Sequence, residues 1–161
     1  MTGARDDSVS DRLRLVLDTN VWLDWLAFGD PSVAAIKAAV AEGRAEVFID
    51  SECEAELERA LGYDLGRKFT LHATAQAGCL AECRRVARRI GAPATAAECA
   101  GLPRCRDKDD QKFLEAALAA GADFLVTRDR RLLDLAQRTA SFGILPPEAF
   151  EAGEGDLSSR A

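Results

Sequence analysis

Apolar residues along this chain gather into short runs separated by longer stretches of helical spacing. Leu13-Arg14-Leu15-Val16-Leu17, Glu46-Val47-Phe48-Ile49, Phe124-Leu125-Val126-Thr127 and the run from Phe142 to Leu145 have the length of buried strands. Between them the period lengthens. The spacing predicts a short helix near residues 21–26, one over 32–42 stopped by Gly43, and one over 51–61 in which Ser51 and Glu54 are placed as a capping box. A long helix is expected over residues 71–90, with Arg84, Arg85, Arg88 and Arg89 facing solvent and Gly91 and Pro93 ending it. Residues 95–106 read as a short helix or turn and then a loop. Asp107 opens a helix whose apolar positions Phe113, Leu114, Ala117 and Leu118 recur at helical spacing before Gly121, and residues 130–138 form the last helix. Strands that alternate with helices imply an α/β fold, a three-layer α/β/α sandwich around a central parallel sheet of about four to five strands. The expected organisation is one domain over residues 12–152, with disordered segments at 1–11 and 153–161.

Composition narrows this picture. The 161 residues suit one domain, and 48% hydrophobic content fills a core, while the aromatic share of 6% favours a helix-rich fold packed by aliphatic side chains. No apolar run reaches membrane-spanning length, and residues 1–11 are polar and acidic rather than leader-like, so the expectation is a cytoplasmic protein without membrane contact. Five cysteines without a CxxC pair point to reduced thiols rather than disulfides or a zinc ribbon. A net charge of -6 argues against gripping nucleic acid by bulk electrostatics. It does not exclude a polyanionic substrate, because divalent ions held by carboxylates reverse the sign locally.

The chemistry concentrates in acids at strand ends. Asp18 closes the first strand and Asp129 follows the third, so in a parallel sheet both lie on the edge where α/β folds bind ligands. Glu56, in the helix after the second strand, and Asp110, in the first turn of the helix before the third, reach the same crevice. Four carboxylates gathered without matching Lys or Arg repel one another, a cost that hard divalent cations relieve. Each acid alone has a plainer reading: Asp18 and Asp107 suit N-caps, and Asp109 and Asp110 suit a helix dipole. Glu54 is assigned to capping, leaving Glu56 for the site. His72, the only histidine, lies away from every motif. A haloacid-dehalogenase-like phosphatase needs a second Asp where this chain has Asn20, and a receiver domain needs an acidic pair and a late Lys that are missing.

The strings LVLDTNVWLDWL, SECEAELERAL, RDKDDQKFLEAALAAGADFLVTRDRRLL and ILPPEAF, in that order, resemble the PIN-domain family, in particular the VapC-like branch of ribonuclease toxins. The resemblance runs from about Leu13 to Phe150, and its most specific part is the third string with its D-x-x-D-x-x-F-L and V-T-x-D pieces. It implies an endoribonuclease dependent on Mg²⁺ or Mn²⁺ that hydrolyses phosphodiester bonds of single-stranded RNA. By position it assigns Asp18, Glu56, Asp110 and Asp129 as the catalytic and metal-holding acids. Asn20, Asp107 and Thr127 then stand behind them as residues that orient ligands or bound water. Arg128 replaces a glycine common in relatives, and with Arg130 and Arg131 it stands near enough to hold RNA phosphates, although plain solvated charge explains all three equally well. The resemblance further implies a toxin neutralised by a cognate antitoxin protein, and a homodimer. The alternative is an inactive PIN-like module that binds protein or RNA.

Overall fold

Strand β1 (Leu13–Leu17) occupies the middle of a five-stranded sheet ordered β3-β2-β1-β4-β5, in which every neighbouring pair is parallel. Its partners are β2 (Ala45–Ile49) on one side and β4 (Phe124–Val126) on the other, with β3 (Ala87–Arg89) and β5 (Gly143–Leu145) at the edges. The computed structural model describes residues 12–63 and 71–153. The disordered segments expected at 1–11 and 153–161 lie outside those residues except for Gly153, which is the last residue of a helix. Parallel central strands covered on both faces need apolar side chains throughout, and Leu15, Val47, Leu125 and Val126 are fully buried.

The connecting helices are α1 (Thr19–Leu23), which continues into a π-helical turn at Asp24–Phe28, and α2 (Ala34–Ala41), which follows a 3-10 turn at Pro31–Val33. Next come α3 (Ser51–Leu61), α4 (Ala73–Val86) and α5 (Ala96–Cys99). A 3-10 turn at Lys108–Asp110 leads into α6 (Gln111–Ala120), and α7 (Arg130–Leu133) and α8 (Pro147–Gly153) complete the set. Helix α6 packs on β1 and β4, and α2 on β2, so the expected α/β architecture is observed. Gly121 ends α6 at φ 62°, a left-handed conformation that glycine adopts without a Cβ penalty.

Several local expectations are corrected. The helix expected to reach Ile90 ends at Val86, and Ala87–Arg89 forms the edge strand β3, paired with Val47–Ile49. Three residues at a sheet edge need no β-forming run. The arginines there are not simply solvated: Arg88 pairs with Glu46 at 2.6 Å, while Arg84 and Arg89 hold Glu54 at 2.8 and 2.7 Å. Glu54 is therefore a buried ion-pair partner rather than half of a capping box. The residue before Ser51 does the capping, since Asp50 accepts the Cys53 N–H at 2.8 Å. A true capping box occurs in α5, between Thr95 and Glu98. The helix expected over 130–138 stops at Leu133 and resumes as a 3-10 turn at Ala136–Arg138. Pro147, placed at a helix start, opens α8.

The cap assignment is testable by urea unfolding. Asp50→Ala should cost about 1 kcal/mol, whereas Ser51→Ala, at an exposed position whose side chain makes no cap bond, should be nearly neutral; the reverse order would restore the capping box.

Candidate metal-binding cleft

From the central strand the chain moves outward on one side through β2 and β3, then crosses to β4 and β5 on the other. The crevice between the carboxyl ends of β1 and β4 is thus the point where strand order reverses, the preferred ligand position in such sheets. Asp18 is the first residue past β1, and its N–H still donates to Val126 O of β4 at 3.1 Å. Its carboxylate caps α1 by accepting the Val21 N–H on Oδ1 at 2.9 Å, while the Thr127 hydroxyl donates to Oδ2. Thr127, fully buried, in turn accepts the Asp129 N–H at 2.9 Å, so one hydroxyl fixes two of the acids.

Asp18, Glu56, Asp110 and Asp129 line one cleft of about 410 Å³, together with Thr19, Asn20, Arg59, Tyr63 and Lys112. Strand ends supply Asp18 and Asp129, α3 supplies Glu56, and the 3-10 turn before α6 supplies Asp110. Asp18 is only 4% exposed, and burial pushes its pKa up to about 6 against the pull of the Thr127 and Val21 hydrogen bonds. Asp110 is raised to about 7, first by burial, then by its hydrogen bond to Asp129 and the negative charges of Asp129 and Asp107. Asp129 is also partly desolvated, yet hydrogen bonds from Asp110, the Arg131 N–H and the Arg131 guanidinium hold it below its ordinary value. Two adjacent carboxyl groups with opposite shifts are a pair that shares a proton.

The cleft is not the purely acidic cluster expected from sequence. Lys112 Nζ lies 2.5 Å from Glu56 Oε1 and donates to Asp109 O at 2.6 Å, and the Thr19 hydroxyl donates to Glu56 Oε2 at 2.6 Å. Arg131 Nε lies 3.2 Å from Asp129 Oδ1 and its Nη1 lies 3.1 Å from Asp107 Oδ2. Asp107 also accepts the Asp109 N–H at 2.9 Å and so caps the turn that carries Asp110. Arg128 is turned away from the cleft acids, since it pairs with Asp24 at 2.8 Å, reaches Asp30 at 3.7 Å and donates to the Ser32 hydroxyl. That clasp, together with the Arg131 pairs, removes two of three flanking arginines from the pool of free phosphate contacts. Asn20 is exposed at the cleft wall. Lys112, Arg59 and Tyr63 stand in no motif that marks them; the only signal for the last two is their helical spacing from Glu56.

As they stand, no three of the described acidic, histidine or cysteine side chains are gathered into a ready-made ion cage. The donor chemistry nonetheless fits a hard divalent cation: all four acids offer oxygen, two have raised pKa values, and no hydrogen-bond donor reaches the buried Asp110 Oδ2. Asp18 and Asp110, and Asp129 in competition with its Arg131 pair, are the residues that would hold it. Glu56 is already neutralised by Lys112.

A family model described as PIN domain matches residues 14–131, which takes in all four acids. Neither the curated proteins nor the solved structures give a match. PIN domains are generally nucleases and typically use divalent metal ions. The match covers well over half of the sequence, and the parallel sheet agrees with it, so the chain belongs to the PIN domain family.

Proposed function

We propose that the protein is a metal-dependent endoribonuclease that hydrolyses phosphodiester bonds of single-stranded RNA with Mg²⁺ or Mn²⁺. The observation that carries this reading is the convergence of Asp18, Asp110 and Asp129 from separate stretches of chain on one cleft at the strand-order reversal. A structural role explains each acid singly. It does not explain why three carboxyl groups from distant stretches of chain line one cleft, two of them with raised pKa values.

The chain's own groups have distinct tasks in such a reaction. Asp18, fixed by Thr127 and the Val21 N–H, provides a carboxylate of set orientation at the cleft floor. Asp110 and Asp129 provide a second pair of carboxyl groups, the first held above and the second below its ordinary pKa. A divalent ion held there supplies Lewis acidity, offsetting phosphate charge and making water nucleophilic near neutral pH. Lys112 positions Glu56 and brings one positive charge to the cleft wall. A toxin role, with a cognate antitoxin and a homodimeric state, is part of the proposal through the family branch alone. Growth arrest on expression of the wild type but not of Asp18→Asn would support toxicity, and unaffected growth would favour RNA processing.

With a single-stranded RNA substrate, cleavage should require Mg²⁺ or Mn²⁺, cease in chelator, and fall by about 100-fold or more in Asp18→Asn and Asp110→Asn, an expected loss of roughly 3 kcal/mol of transition-state stabilisation. Equal cleavage by wild type and Asp18→Asn, or none by either across several metal conditions, would favour a binding module instead.

The pH dependence has a definite sign. Asp18 and Asp110 keep their protons to about 6 and about 7 in the folded chain, against about 4 when unfolded. Between those values the unfolded state binds fewer protons, so their contribution to stability falls as pH rises from about 4 to 7. For Asp18 alone the contribution is on the order of 3 kcal/mol. Asp129, whose pKa is lowered, contributes stability that is lost only as pH falls below about 4. Metal-free protein should therefore lose thermal stability between pH 5 and 8, and added Mn²⁺ should raise its Tm at pH 8 far more than at pH 5. A Tm shift independent of pH would place ion binding elsewhere.

A further inference from the structure

Helix α3 carries a second set of groups into the cleft beyond Glu56. Arg59, Ala60 and Tyr63 line it as well, and the spacing 56, 59–60, 63 is that of one helical face. The helix ends at Leu61, and the Gly62 N–H to Arg59 O and Tyr63 N–H to Ala60 O bonds, both at 3.1 Å, tighten its exit into a turn that keeps Tyr63 on the cleft. Seven residues of helical rise put Tyr63 about 10 Å along the cleft from Glu56.

Tyr63 is 59% exposed and is the exposed large hydrophobic residue among those described. A ring left in water at the mouth of a carboxylate-lined cleft contributes little to the fold. Arg59, one turn before it, is exposed, and no described carboxylate pairs with it, in contrast to Arg128, Arg131 and Lys112. An aromatic face beside an uncommitted guanidinium suits a flat π-faced group joined to a phosphate. The acids that line the same cleft suit the next linkage of the same strand. Bases in a duplex are stacked on one another and cannot offer a face to a side chain, so the arrangement selects for unpaired nucleotides.

We propose that Tyr63 and Arg59 form a nucleotide subsite, with Tyr63 stacking on an unpaired base and Arg59 contacting its phosphate, that sets the preference of the cleft for single strands. The inference rests on the nuclease reading for its place in catalysis, but the stacking contact stands apart from cleavage and is measured apart from it. The probe is a short single-stranded oligoribonucleotide carrying 2-aminopurine, bound in Mg²⁺ to full-length Asp18→Asn protein so that it is not consumed. Stacking should quench its fluorescence, Tyr63→Phe should preserve both quench and affinity, and Tyr63→Ala should remove the quench and weaken binding about tenfold or more. A ladder of single abasic positions should show one site at which the effect of Tyr63→Ala disappears. Arg59→Gln should weaken binding and reduce its salt dependence while leaving the quench at saturation. In the otherwise wild-type chain, Tyr63→Ala should raise KM with kcat little changed.

Unchanged affinity and quench in Tyr63→Ala, with circular dichroism showing the fold intact, would overturn the subsite whether or not RNA is cut. Equal losses on single-stranded and duplex RNA would overturn it too. Tyr63-dependent quenching by a protein that cuts no RNA would uphold the subsite and defeat the nuclease reading. Cleavage that depends on the acids but not on Tyr63 would do the opposite.

Discussion

A buried carboxylate between two strands is the constraint on which the rest of this molecule turns. Asp18 sits where β1 ends against β4, and it is held from one side by the first turn of its own helix and from the other by a hydroxyl of the neighbouring strand. Two hydrogen bonds do not recover the cost of desolvation, which is why the acid holds its proton to about 6. The position is fixed by topology rather than by local preference. With β1 between β2 and β4, and the chain diverging to either side, the crevice above that junction opens whatever the loops contain.

Around that acid the fold distributes positive charge selectively. Lys112 neutralises Glu56, Arg131 joins Asp129 to Asp107, and Arg128 is spent on Asp24 and Asp30, leaving Asp18 and Asp110 with no ion pair among the described residues. Acids elsewhere are treated differently. Glu46 and Glu54 are as buried as Asp18, yet each is matched by arginines from the segment that ends α4 and forms β3. The contrast separates carboxylates that serve the scaffold from those that leave the cleft short of positive charge.

Much of the fold was legible because buried parallel strands write themselves as uninterrupted apolar runs. The segments that became β1, β2 and β4 stand out for that reason, and Gly43 and Gly121 mark turns at φ 76° and 62°. The strand Ala87–Arg89 was hidden, since an edge strand of three residues adjoining a helix has neither period nor propensity to separate it from that helix. The cap of α3 was misplaced by one residue because Asp50, Ser51 and Glu54 satisfy two cap patterns, and only the arginines of α4 and β3 decide what Glu54 does. In the cleft, acids at strand ends could be found from position alone. The cations that answer them could not, because Lys112 and Arg131 look like ordinary surface charges until α6 is brought beside α3 and the start of the 3-10 turn beside the segment after β4.

The arginine pair on β3 has a consequence beyond its own ion pairs. An outermost strand leaves a row of backbone donors and acceptors unpaired, an invitation for another chain to extend the sheet. Here that border is only three residues long and carries Arg88 and Arg89, more than half exposed yet anchored to Glu46 and Glu54 behind them. A second copy approaching this border meets like charge that cannot swing aside without giving up a close pair with a buried carboxylate. The same salt links that hold the last strand in register thus also protect the sheet against growth by addition at that side.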